Sequence, residues 1–294
     1  MVDLTLGIAA GLGSGLTWAS SSILVRSLSG SYGVAGVNAL RSLAGGGLLL
    51  AIAFATGHGA EIMQAPLWAV LSLCTSIVIA LVIGDTLFFA STEYLGVTRA
   101  LTIGIANPVL TTMVGIFVFG EAITPIRGVG IALVLCGLLL IVTGRGAGER
   151  LPGPRLLRGL RLAGLAALSW SVSAILLRQP LQVLSAISAT AIRIPVGGLV
   201  LSLTPWVRGT LRLLRGSGRR DRIMLSMACL LAAGGPFLFS VAVKNGGVAV
   251  ATVLSGTAPL FSIPLELLLF GIPPSRPMIL GAVVTVLGVA LMRA

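Results

Sequence analysis

The chain has 294 residues, 56% of them hydrophobic and only 10% charged, with a mean hydropathy of +1.07. A soluble domain carries about a quarter charged residues, so this chain cannot cover a water-facing surface; its recurring apolar runs of roughly 20 residues mark an all-α polytopic membrane protein. The formal net charge of +12 is gathered in arginines between apolar runs, which fits membrane-flanking loops and argues against nucleic acid as a partner.

The first expected span covers 5–25. Its start, MVDLTLGIAAG, has no basic n-region and no small-residue cleavage site, so it is expected to remain as a permanent span. Ser14, Thr17 and Ser21 share one helical face, with Ser20 and Trp18 alongside. Such a face either lines a cavity or bonds a neighbouring helix, while Gly7, Gly11 and Gly15 suit close packing. Trp18 is away from a span end, the usual place for Trp in membranes, and is read as a cavity residue.

Spans two and three are expected at 34–56 and 67–91. Arg41 lies about two turns into the second. Asp85 lies within the third and is the most telling of the eight acids (Asp3, Glu61, Asp85, Glu93, Glu121, Glu149, Asp221, Glu266). A carboxylate at bilayer depth costs about 2.5–3.5 kcal/mol and so faces protein or a wet cavity. It is either a proton-coupling or substrate-amine site, or the partner of a structural arginine. Glu93 ends the span.

Spans four and five follow at 97–119 and 126–144. Pro108 interrupts the fourth and frees the carbonyl four residues back, at Gly104; the neighbouring Asn107 is placed to meet that carbonyl or a ligand. Glu121 reads as an interfacial carboxylate before span five. The Arg-, Gly- and Pro-rich stretch 145–161 then separates a first repeat, 1–144, from a second, 162–294.

The second half has expected spans at 162–178, 186–206, 223–243, 247–270 and 277–293. ALSWSVSAILLR at 167–178 nearly copies GLTWASSSILVR at 15–26, so Trp170 and Ser173 repeat Trp18 and Ser21 at an offset of 152, with Ser169 and Ser171 beside them. Arg193 repeats Arg41, and Gly197-Gly198 repeats Gly45-Gly46. One residue then drops out; at offset 151 Pro259 repeats Pro108, Gly281 and Gly288 repeat Gly130 and Gly137, and Asp85 falls on Pro236. Ser255, whose carbonyl Pro259 frees, and Thr257 are further candidates for the cavity. Lys244 takes the place of Glu93. Presence in both halves favours a structural role for Arg41 and Arg193, such as snorkelling; the other reading is attraction of a carboxylate substrate, or gating. Five spans per half is an odd number, so the second half enters the membrane from the opposite face, as in the inverted repeats of secondary transporters.

GDTLFFASTEYLGVTRALTIGIANPVLTTMVGIFVFGEAITPIRGVGIALVLCGLLLI, residues 84–141, carries the most family-like features: Pro108, Gly120-Glu121 and the glycines Gly128, Gly130 and Gly137. The second half keeps Pro259, Gly271, Gly281 and Gly288 but has Ile272-Pro273 in place of Glu121-Ala122. Over essentially its whole length the chain resembles EamA-type transporters of the drug/metabolite transporter superfamily. The resemblance implies ten transmembrane helices around a central cavity and the export or exchange of a small metabolite, often an amino acid.

No cofactor and no metal site are expected. His58 has no His or Cys neighbours, and Cys74, Cys136 and Cys229 stand singly in apolar runs. The expected partners are a small-molecule substrate, with proton coupling through Asp85 under consideration, and the lipid bilayer. Two fused halves make a monomer sufficient in principle, and a homo-oligomer stays open. A flippase for a lipid or lipid-linked sugar on the same scaffold is the alternative function. A membrane-embedded transferase ranks lower, because the acids are scattered. A small four-helix quaternary-cation exporter would want a glutamate in the first span, and none is there. The expected location is the cell (inner) membrane. About fifteen of the 20 basic residues fall on one face, including 145–161 and 208–222. The positive-inside rule makes that face cytoplasmic and the termini external, whereas the family resemblance suggests internal termini.

Overall fold

The computed structural model describes residues 3–97, 100, 103–104, 107, 110–111, 114, 124–143, 153–270 and 273–291, and every regular element among them is helical. Helix α1 (Leu4–Tyr32) opens on Asp3, whose carboxylate accepts the Leu6 N–H at 3.1 Å and so caps an orphan donor. It runs past the expected end at 25, since no proline follows until well beyond Gly33, where φ turns to 77°. After it come α2 (Val34–Ala55), the short α3 (Gly59–Met63) and α4 (Leu67–Leu95). Within α4 the segment Val78–Asp85 is wound as a π-helix.

Beyond Gly96, the Ala100 N–H bonds Gly96 O and the Gly104 N–H bonds Ala100 O, so helical pairing resumes. Then come α5 (Pro125–Thr143), α6 (Gly153–Arg178), α7 (Pro180–Val183), α8 (Ala186–Ser202) and α9 (Pro205–Arg215), followed by α10 (Arg219–Ser255), α11 (Ala258–Phe270) and α12 (Arg276–Leu291). Two expected loops are therefore partly helical. Helix α6 begins inside the supposed linker 145–161, with Pro154 in its first turn, where a missing N–H costs nothing. The basic stretch 208–222 holds most of α9 and the start of α10, and Pro205 opens α9 for the same reason.

Among the described residues, five helical stretches are by length and composition able to cross a membrane: α1, α2, α4, α6 with α7, and α10. The expected span 223–243 and the start of the next, 247–270, which α11 continues, both lie in helix α10. Gly247 breaks it at φ 80°, and Gly96, 151 residues earlier, ends α4 at φ 79°. A left-handed φ suits only glycine without strain, so the same backbone turn is encoded in both halves.

The packing between halves is reciprocal. A Cβ on Gly46 of α2 would lie 2.6 Å from Pro195 N of α8, and a Cβ on Gly198 of α8 would lie 2.7 Å from Leu43 N of α2. Pro195 and Gly198 are the offset-152 equivalents of Leu43 and Gly46, so each helix gives the other the same contact with chain directions opposed. Helices α5 and α12 repeat the pattern at offset 151. A Cβ on Gly137 would come 2.6 Å from Gly281 O, and one on Gly288 2.7 Å from Gly130 O. Small residues let helix backbones approach where lipid supplies no hydrophobic drive for association.

Candidate functional site

A cavity of about 190 Å³ lies between α1, α2, α4, α6, α8 and α10. Ser14, Thr17, Trp18, Ser21, Arg41, Asp85, Asn107, Trp170, Ser173, Arg193 and Ser255 all line it, so residues far apart in sequence meet here. Thr257, between the lining residues Gly256 and Ala258, is not among them; its hydroxyl donates to Leu254 O at 2.6 Å, beside Gly15. Pro108, Glu121 and the side chain of Pro259 lie outside the described residues. The carbonyl of Gly104, which Pro108 was expected to free, accepts the Asn107 N–H at 2.9 Å.

Arg41 is 3% exposed and does not snorkel. Its guanidinium is held on every side. Nη2 donates to Asp85 Oδ2 at 2.7 Å, Nε to Asn38 Oδ1 at 2.8 Å and Nη1 to Ser21 Oγ at 3.3 Å. Its plane also lies over the rings of Phe89 (5.2 Å) and Trp18 (6.0 Å), a favourable face for a cation. Asn38 Nδ2 in turn donates to Leu81 O at 3.2 Å, inside the π segment. A π turn shifts carbonyls out of their α register, and here a side chain from α2 meets one of them.

Asp85 is engaged through both oxygens, since Oδ1 accepts from Trp170 Nε1 at 3.0 Å. That bond passes over Gly84, where a Cβ would come within 2.9 Å of the indole. Trp170 meets Trp18 edge-on, with centroids 5.4 Å apart and planes at 88°. Phe88 packs against both indoles. The twin tryptophans thus form one aromatic wall beside the ion pair.

Arg193 is equally buried, at 4% exposed, but its setting differs. Nη2 donates to Ser76 Oγ at 2.9 Å and to Ser173 Oγ at 3.0 Å. The Ser173 bond is the repeat copy of Arg41 to Ser21. No carboxylate among the described residues lies within ion-pair distance of Arg193. Its Nε, together with Ser42 Oγ and Ser255 Oγ, is buried with no hydrogen-bond partner among the described residues. Residue reading alone missed Ser42, Ser76 and Gly84. Nothing in their spacing marked them, although Gly84 has Gly235 as its offset-151 copy, set against Thr17 Oγ1 at 2.9 Å.

Each end of the bundle has polar ties, between the halves through Tyr32 and Glu61 and within the second half through Lys244. At one end Tyr32 Oη donates to Asp221 Oδ2 at 2.6 Å, and Thr210 Oγ1 donates to Tyr32 O at 2.5 Å. At the other, Glu61 accepts the Ser185 N–H as well as the hydroxyls of Ser185 (2.7 Å) and Ser188 (2.6 Å), while Lys244 Nζ donates to Leu184 O at 2.8 Å.

The sequence matches the EamA-like transporter family twice, over residues 5–143 and 157–294. The chain belongs to the EamA-like transporter family. EamA proteins are membrane transporters of the drug/metabolite transporter superfamily, not enzymes, and the all-helical, apolar architecture here agrees with a multi-pass membrane protein. No curated protein matches the sequence. A solved structure described only as "Crystal structure of protein" shares the EamA-like fold of this chain, with a TM-score of 0.76 and 19% identity over 97% of this chain and 94% of its own.

Proposed function

We propose that this protein is a secondary transporter that exports or exchanges a small metabolite by alternating access, with the central cavity as its solute site. The reading takes the chain as ten membrane helices in two inverted five-helix repeats, located in the cell membrane. The observation that carries it is the cavity itself, walled in part by the repeat-equivalent helices α2 and α8 packed with directions opposed, and holding a buried Arg–Asp pair and a second buried arginine among apolar helices. Intramembrane charges of this kind mark solute or ion pathways. Asp85 is the group at which proton coupling would act, because its protonation would release Arg41. The polar ties at the two ends are the contacts that alternate opening would break in turn.

Purified protein is expected to be stabilised against heat by members of a metabolite panel, by about 1 kcal/mol at a few multiples of Kd. The stabilising class should then show counterflow in proteoliposomes, where unlabelled solute inside drives uptake of labelled solute. Stabilisation without any counterflow would turn the protein from a carrier into a binding protein.

A further inference from the structure

We infer that the solute is an organic monoanion with an apolar body, its charged group bound at Arg193; this rests on the transporter reading above. The argument starts from a broken symmetry. Arg41 and Arg193 are repeat equivalents, each bonded to its equivalent serine, Ser21 or Ser173. Arg41 also has Asp85, at 2.7 Å. The position equivalent to Asp85 in the second half is Pro236, which lines the same cavity and carries no charge. Arg193 is therefore a buried guanidinium that shares the field of Asp85 but, among the described residues, has no carboxylate bonded to it as its twin has. A buried charge whose hydrogen-bond partners are all neutral is costly, and a ligand that supplies a directly bonded opposite charge offsets that cost on binding.

The described lining carries two guanidinia and one carboxylate, an excess of one positive charge. The carboxylate is already engaged through both oxygens, by Arg41 and by Trp170. An entering ammonium would have to break a buried ion pair to find an acceptor. An entering carboxylate or sulfonate meets Arg193 in the cavity wall; its Nε–H and the hydroxyls of Ser42 and Ser255, residues of the same wall, are buried without a partner among the described residues, and a small side-chain shift would turn them to the anion. Guanidinium favours planar, forked anions over point charges. Besides the uncharged polar side chains of Ser14, Thr17, Ser21, Asn107, Ser173 and Thr252, the rest of the wall is apolar, with Trp18, Ile77, Leu231 and Phe239 among its residues, which suits a largely apolar ligand body. A zwitterionic amino acid brings the anion but also an ammonium for which the described lining has no spare carboxylate.

A charge series on one body tests this: 3-phenylpropionate, phenylalanine, 2-phenylethylamine and 3-phenylpropanamide, measured by thermal shift and tryptophan fluorescence on the purified full chain. Saturable binding of phenylpropionate is expected to be tighter than that of the other three. Arg193→Gln should weaken phenylpropionate about tenfold or more, the scale of one lost charge-assisted hydrogen bond, with little effect on the amide. Tighter binding of phenylalanine or the amine, absence of saturable phenylpropionate binding, or unchanged phenylpropionate affinity in a folded Arg193→Gln chain would each overturn the inference. The series on the unsubstituted chain decides the matter even if Arg193→Gln does not fold. Proteoliposome counterflow separates the two readings. An anion that binds through Arg193 but is never carried leaves the site standing and removes the transporter; a carried cation does the reverse.

Discussion

Asp85 accepts from Arg41 and Trp170 at once, and Arg41 spends its other donors on Asn38 and Ser21. Removing one member of such a pair leaves its partner buried and uncompensated, which costs about 3–5 kcal/mol, whereas removing both costs far less. Asp85→Asn is therefore expected to lower thermal stability in detergent sharply, and Asp85→Asn with Arg41→Gln to recover much of the loss. A double variant no more stable than the single one would show that the pair is not the unit. At this scale the sequence was informative in a particular way. The doubled phrase around Trp18 and Trp170 and the doubled Arg41 and Arg193 pointed to residues that do meet around one cavity. Which arginine pairs with Asp85 was not readable, because both are candidates until helix packing brings α2 and α4 together.

Glu61 shows what a short element can do between spans. Helix α3 is only five residues long, yet it presents a carboxylate to the start of α8, where Ser185 is the N-cap. Burial pushes the Glu61 carboxyl up, but the hydroxyls of Ser188 and Ser185 and the Ser185 N–H outweigh it and hold the group below its ordinary value of 4.5. A carboxylate at a helix N-terminus also meets the positive end of the helix dipole. A depressed folded-state pKa means that the stabilisation is complete above the unfolded value and is lost as pH falls through the folded one. Glu61→Gln is thus expected to melt lower than the unsubstituted chain at neutral pH, with the two melting curves converging as pH drops below about 4.5. A gap that stays constant through that range would mean that the charge is irrelevant to the tie. Span starts were legible just after glycine, at 34 after Gly33 and at 97 after Gly96, whereas the span expected at 186–206 runs through Pro205, where a new helix begins. The π segment of α4 was not, because VIALVIGD reads as an ordinary apolar helix and the groups that meet it, Asn38 at Leu81 O and Trp170 at the Asp85 carboxylate, come from other helices.

For the whole molecule, direction in the membrane follows from where the basic residues gather. Tyr32 at the end of α1 bonds Asp221 in the first turn of α10, so the exposed Arg219, Arg220 and Arg222 stand at the end of the bundle where α1 finishes. Glu61 and Lys244 tie the opposite end, which holds few basic residues. Basic segments beside a membrane are held by about 1 kcal/mol per residue at an anionic cytoplasmic leaflet, and Lys/Arg bias sets orientation during insertion. The Arg-rich end is therefore expected to be cytoplasmic, with both chain ends on the outer face. A C-terminal alkaline phosphatase fusion should be active and a C-terminal green fluorescent protein fusion dark in the same cells. The inverse pattern would place the arginines outside, against the bias, and the solute path would then run from the Glu61 end toward the exterior at the Asp221 end.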